Sequence, residues 1–291
     1  MQAVERGDAD WLWTSGSIPR GLRRQLETRF ASQLHVNPTP ETDFLFLNIH
    51  EPPFDDIRVR RALNFAIDRD RVVRLYGGPS VATPTCQVLP PGLPGYRRYC
   101  PYTLAPRREG RWTAPDLGTA RRLVADSGAR GTRVVVWTYQ DAPAAAVSRY
   151  AAAVLRRLGF RAVARVAPFP AWDRAVHDPG KHVQIAFGAW LADYPAASDF
   201  FNLLLSCHGT GNPLGYCDAG VDREIERALS LAATDPRAAD RVWRGLDRRV
   251  TDLAAWAPLV NVFATDFVSR RVGNYQYNPL WGILADQLWV R

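Results

Sequence analysis

Phe44-Leu-Phe-Leu-Asn48-Ile49, His50-Glu51-Pro52-Pro53 and Phe54-Asp55-Asp56-Ile57-Arg58-Val59-Arg60-Arg61-Ala62-Leu63-Asn64-Phe65-Ala66-Ile67-Asp68-Arg69 are three consecutive stretches that read differently. The first is a short apolar run and predicts a buried strand. Pro52-Pro53 stops it, because proline lacks the N–H that a ladder or helix interior needs. In the third, Val59, Leu63, Ala66 and Ile67 recur at helical spacing, with Asp55 or Asp56 available as N-cap. This predicts a helix from about Ile57 to Tyr76, stopped by Gly77-Gly78.

Outward from this unit, residues 79–115 are rich in Pro, Gly, Tyr and Arg and predict a long surface excursion. The pattern then alternates: a helix from Pro115 to about Ser127, a strand Arg133 to Thr138, a helix Pro143 to Leu158, a strand Arg161 to Val166, a short helix Ala171 to His177, and a strand Val183 to Trp190. Strands and helices in this order predict a parallel or mixed sheet covered by helices. Ligands bind such sheets beyond the carboxyl ends of the strands. The last strand ends there in Trp190-Leu-Ala-Asp193-Tyr194-Pro195. Helices are expected from Val221 to Ala233, capped by Asp218, and from Pro236 to Ala255, capped by Asp235. The tail reads as short strands, Pro258 to Phe263, Phe267 to Arg270 and Leu284 to Val290, that need another sheet to join. The opening segment to Asp43 is mixed and is not a domain of its own.

A chain of 291 residues, 47% hydrophobic and 23% charged, can bury a substantial core, so disordered and fibrous classes are excluded. No apolar run is long enough to span a bilayer. The net charge of +8 comes from 37 basic and 29 acidic residues, and Lys181 is the one lysine. Arginine bias, not a nucleic-acid surface, accounts for that balance, since phosphate-binding surfaces mix Lys with Arg. The charge is uneven, with nine arginines between Arg97 and Arg133 against Glu109, Asp116 and Asp126. That stretch is read as a solvated surface loop.

The four cysteines form two close couples, Cys86 with Cys100 and Cys207 with Cys217. Disulfides are favoured over zinc, because no C-x-x-C occurs and His208 adjoins Cys207 too closely to bind the same ion. Oxidised cysteines point outside the cytoplasm. The segment after Met1 has no signal-peptide pattern, so the chain is expected to be a fragment of a longer exported protein.

No enzyme declares itself. The stretch Gly209 to Gly215 has the wrong spacing and context for a phosphate loop, and GxxxxGK[ST], HExxH and GxSxG are absent. The five histidines lack ligand spacing, and capping accounts for Asp55, Asp56, Asp68 and Asp70. Trp190, Asp193 and Tyr194 differ. A buried carboxylate beside aromatic faces would receive an ammonium group through a charge-assisted hydrogen bond and cation–π attraction. The alternative is a core tryptophan with Asp193 capping a helix that starts near Ala197.

Taken in order, these motifs resemble extracellular solute-binding protein family 5, the oligopeptide-, dipeptide- and nickel-binding components of ABC importers. Phe46-Leu-Asn48 and Pro52 to Arg69 are similar to the family's "lN…PPF.D.rVRrAln.AiDR" signature. Trp190 to Pro195 resembles its "W.aDYpdp" element, and Gly215-Tyr-Cys217, Val221-Asp222 and Pro258-Leu-Val follow in the family's order. Gly7-Asp-Ala-Asp10-Trp11 is similar to a "GeaDw" element.

The resemblance implies an α/β, periplasmic-binding-protein-like lobe (type II, cluster C) with a mixed sheet flanked by helices, plus incomplete pieces of a second lobe. Residues 1–44 are then the last part of lobe I, 45–260 lobe II and 261–291 a return to lobe I. It further implies capture of peptides or another amine-bearing solute in an interlobe cleft, delivered to ABC permease and ATPase subunits. Asp193 would pair with the ligand's α-amino group, Trp190 and Tyr194 would line the cleft, and Asn48 is a further ligand-binding candidate. Arg60 reads as structural. No cofactor, metal site or nucleic-acid partner is expected, and membrane association would come only through an N-terminal anchor outside this chain. A lone second lobe is expected to bind weakly and to leave its tail strands without partners. A ligand-sensing module of a signalling or transcription-regulator fusion is the alternative function.

Overall fold

The structure is a computed structural model that describes residues 1–15, 18 and 20–291. The chain opens with α1 (Gln2–Arg6), β1 (Trp11–Ser15), α2 (Arg20–Arg29) and β2 (Leu34–Pro38). The decisive unit is β3 (Glu41–Leu47), α3 (Ile57–Ala66) and α4 (Arg69–Tyr76), followed by the short β4 (Ala82–Pro84). Then come α5 (Leu117–Ser127), β5 (Arg133–Tyr139), α6 (Ala142–Arg157), β6 (Arg161–Ala167), α7 (Phe169–Val176) and β7 (Ile185–Leu191). α8 (Ser198–Leu204), α9 (Ala219–Ala232) and α10 (Pro236–Asp252) lead to the long β8 (Trp256–Val268). Four two-residue strands finish the chain: β9 (Val272–Gly273), β10 (Tyr277–Asn278), β11 (Gly282–Ile283) and β12 (Trp289–Val290).

Aspartates begin the helices as capping requires. Asp56, Asp68, Asp116, Asp141, Asp218 and Asp235 each accept a backbone N–H from the first turn of α3, α4, α5, α6, α9 and α10. Each satisfies an amide that has no partner within its helix. The main sheet runs β4-β8-β3-β7-β5-β6, and β1 and β2 pair with the far end of β8. β5 is parallel to β6 and β7, whereas β3 is antiparallel to both β7 and β8, so the sheet is mixed as expected. Two cores cover it. Leu45 and Leu47 face α3 to α6, and Phe44 and Phe46 face α8 to α10. Phe44 stacks on Trp256 at 3.8 Å, and Gly188 lies opposite Phe44 in β7, where a Cβ would come within 2.9 Å of that ring.

The structure differs from the expected elements in instructive ways. The single helix over 57–76 is two. Ile67 turns extended and Asp68 caps α4, its carboxylate accepting the Arg71 N–H at 2.9 Å. The break lets the fully buried Arg69 turn inward, where its guanidinium donates to the carbonyls of Thr85, Pro258 and Asn64 and to Asn64 Oδ1. The tail strands expected over 258–263 and 267–270 are one strand of 13 residues, because Thr265 and Asp266, which read as an interruption, are buried and bonded. Nor do the tail strands lack partners: β1 and β2 flank the end of β8, β9 pairs with β12, and β10 with β11.

Cys86 is bonded to Cys100 and Cys207 to Cys217, with Cα separations of 4.9 and 4.3 Å. The 79–115 excursion is also held from below. Asp247 of α10, fully enclosed, accepts the Val88 and Leu89 amides and the Gln87 side chain. Burial pushes its carboxyl from 3.8 up to about 7, against the opposing pull of those donors. The folded chain therefore keeps a proton that the unfolded chain loses near pH 4. Stability from this group is full below that pH and declines as pH rises towards 7, by up to about 1.4 kcal/mol per pH unit. Asp247→Asn should gain stability relative to the parent as pH rises from 4.5 to 7 in urea denaturation. A difference that stays constant with pH would contradict this assignment.

Candidate functional site

β7 carries its last residues out of the sheet on the side of α8. Trp190 is half-buried against the core beneath α8 to α10, and its indole Nε1 donates to Asp199 Oδ2 at 2.9 Å. The Asp193 backbone N–H donates to the same oxygen at 2.9 Å. Asp199 lies in the first turn of α8 and is fully buried, so the loop between β7 and α8 is tied at two points to one carboxylate. Burial raises the Asp199 carboxyl above its ordinary range, and the two hydrogen bonds oppose that rise. Oδ1 of Asp199 has no partner among the described residues.

Asp193 itself is exposed, and so is Tyr194, whose hydroxyl accepts from Ser198 Oγ at 3.4 Å. The expectation of a buried Asp193 is therefore corrected: the buried carboxylate beside the tryptophan is Asp199, six residues later. The helix-capping alternative fails too, since α8 is capped by Ala197 without any side-chain bond. Trp190, Asp193 and Tyr194 thus share one turn at the end of β7, with the Asp193 and Tyr194 side chains exposed.

Asn48 is not part of that group. It follows the other end of β3, where its amide donates to Val183 O at 2.8 Å and its carbonyl oxygen accepts the His50 N–H. There it lines a cavity of about 360 Å³ with His50, Glu51, His177 and Leu214, at the end of the sheet opposite Trp190. Arg60 is structural as expected, donating to the carbonyls of Phe54, Asp55 and Leu253.

Two acidic residues escaped the sequence reading. Glu41 and Asp43 begin β3 beside Leu191 and Ala189, at the same end as Trp190 but on the opposite face. Asp43 is buried and accepts the Tyr76 hydroxyl, and burial together with Glu41 raises its carboxyl well above the usual range. Tyr139 at the end of β5 and Asp141 at the start of α6 adjoin this pair. The available signal was two acids spaced by two residues in an otherwise apolar strand, a pattern that places both on one face. Among the described residues no three His, Cys, Asp or Glu side chains converge as a metal site, and no helix is long and apolar enough to cross a membrane.

Comparison with known proteins bears on the family and the fold. Residues 1–212 match the profile described as bacterial extracellular solute-binding proteins, family 5 middle. The chain is 27% identical over 292 residues to the probable di/tripeptide-binding protein 5 of Pseudomonas aeruginosa (strain UCBPP-PA14), covering 96% of this chain and 51% of that protein. It is 25% identical over 269 residues to the glutathione-binding protein GsiB of Escherichia coli (strain K12), covering 88% and 49%. Among solved structures, clavulanic acid biosynthesis oligopeptide binding protein 2 superposes with a TM-score of 0.86 at 24% identity, over 99% of this chain and 54% of that one. Haemophilus influenzae OppA in complex with the peptide RPPGFSPFR gives 0.78 at 20% identity, over 99% and 55%. The structural likenesses establish a shared fold, and the chain spans about half the length of the curated relatives it matches. With residues 1–212 inside the family profile and the fold recurring over almost the whole chain, the protein belongs to bacterial extracellular solute-binding protein family 5.

Proposed function

We propose that this chain supplies the ligand-gripping lobe of a receptor that captures peptides, or another amine-bearing solute, for an ABC importer. Residues 45–260 form that lobe in this reading, and residues 1–44 and 261–291 belong to the opposing one. The ligand's α-amino group pairs with the Asp193 carboxylate, and Trp190 and Tyr194 flank it. Closure of the opposing lobe then desolvates the pair, and the loaded receptor docks on permease and ATPase subunits.

One observation carries this reading: an exposed aspartate in the turn that also carries Trp190 and Tyr194, just past the carboxyl end of a strand, on backbone that a buried carboxylate holds in place. A cation meeting Asp193 encounters a preorganised partner, which reduces the ordering cost of binding. The di/tripeptide and glutathione names of the relatives agree, since those ligands carry a free amine.

Asp193→Asn should weaken free-amine tripeptides about tenfold or more in calorimetric titrations, the size of a lost charge-assisted hydrogen bond, and leave N-acetylated tripeptides little changed. Equal losses for both classes would exclude the pairing. Asp199→Ala should destabilise the chain by about 2 kcal/mol in urea, because two donors lose their acceptor. It should also accelerate hydrogen exchange at the Asp193 amide above that of neighbouring loop amides. Unchanged exchange there would show that Asp199 does not hold the loop.

A further inference from the structure

The arginine-rich excursion encloses a cavity of about 280 Å³ whose lining includes none of Trp190, Asp193 and Tyr194. Its floor is β4 and the segment after it, together with Asn261 of β8. Much of the floor's hydrogen-bonding capacity is already engaged. Asn261 Nδ2 donates to Glu41 O and Thr42 Oγ1, and Gln87 bonds Arg97 O, Asp247 and the Tyr99 amide. The rim is different: Arg98 and Arg111 both face the cavity, both are exposed, and neither makes an ion pair among the described residues. Arg98 donates to the Tyr96 hydroxyl. Among the described residues no acidic side chain lines the cavity.

The chain brings these two arginines to the same cavity through a backbone contact. Gly110, at φ +64°, packs its backbone against the Arg98 carbonyl so closely that a Cβ would collide with it. The two limbs of the loop therefore cross at this point, and Arg98 and Arg111 come to one rim. Tyr96, Tyr99 and Trp112 supply the apolar walls. Planar guanidinium groups suit carboxylates through paired N–H donors, and aromatic walls suit an apolar body attached to one. The volume is near the lower limit of small-ligand pockets and exceeds what a bare ion requires.

We infer that this cavity is a second binding site, for a small organic carboxylate with an aromatic or apolar body, held by Arg98 and Arg111. The sequence's surplus of arginine after Arg97 is then in part a recognition feature. The carboxylate has two sources, a free small acid or the C-terminus of a peptide. Thr83, Asn261, Thr42 and Trp190 lie in one row across four adjacent strands, which puts the cavity about 14 Å from Trp190, three strand spacings away. An extended peptide of about four residues covers that distance.

The test is calorimetric titration of the chain with N-acetyl-phenylalanine and with its amide, at constant ionic strength. The acid should bind saturably and at least tenfold more tightly than the amide. Arg98→Ala/Arg111→Ala should remove at least tenfold of the acid's affinity with the circular dichroism spectrum unchanged. Arg121→Ala/Arg122→Ala, which removes the same charge from exposed α5, should have no effect, nor should Asp193→Asn. Equal binding of acid and amide, or equal losses in both arginine pairs, would overturn the site. A tetrapeptide with free termini separates the sources: affinity lost in both the Arg98/Arg111 and Asp193 variants identifies a peptide C-terminus. Loss confined to N-acetyl-phenylalanine identifies a free acid.

Discussion

Strand β8 is the constraint on which the rest of the fold depends. Its first half lies between β3 and β4 and its second half between β1 and β2, so one strand of 13 residues has four partners. Its register is fixed by polar residues as well as by apolar ones. Asp266, fully buried, accepts from the Trp11 indole, the Asn37 amide and the Tyr275 hydroxyl, and Asn261 bonds the start of β3. A slip by one residue would turn these groups to the opposite face and leave them buried without partners, at a cost of several kcal/mol. With β8 fixed, β3 is fixed beside it and β7 beside β3, and Trp190 and Asp193 leave the sheet at a defined place.

The same physical device recurs where the backbone is irregular. Asp247 gathers the amides of Val88 and Leu89, and Asp199 gathers the Trp190 indole and the Asp193 amide. In both cases burial works against the ionised carboxyl and the converging donors work for it. A loop has no ladder to satisfy its amides, and a buried carboxylate with several lone pairs replaces one. Arg69 does the converse, one guanidinium serving the carbonyls where α4, β4 and β8 meet.

Much of this was legible in the sequence, for reasons that differ by element. The strand at 44–47, its proline stop and the capped helix after it are local signals, and local physics decides them. The same holds for the alternation from Arg133 to Leu191 and for the nearest-neighbour cysteine pairing. What could not be read depends on distant partners. Asp68 resembles any polar residue within a helix until Arg69 is seen to need an inward turn. Thr265 and Asp266 look like a strand break until Trp11, Asn37 and Tyr275 arrive from elsewhere in the chain. At the site, the sequence brought together Trp190, Asp193 and Tyr194 but expected Asp193 to be buried where Asp199 is, because burial is a property of packing and not of composition. Asn48 lies within a signature that reads as a unit, yet the strand carries it to the far end of the sheet.

The contrast between an exposed Asp193 and a buried Asp199 has a chemical consequence. A carboxylate that must meet a cation needs to be open to it, and one that must hold a loop needs to be closed to water, so one residue cannot do both. The two are also electrostatically linked, since the charge of Asp193 adds to the forces that raise the Asp199 carboxyl. A cation paired with Asp193, as proposed above, would offset that repulsion. An ionised acceptor in turn holds the Trp190 indole and the Asp193 amide more strongly than a neutral one.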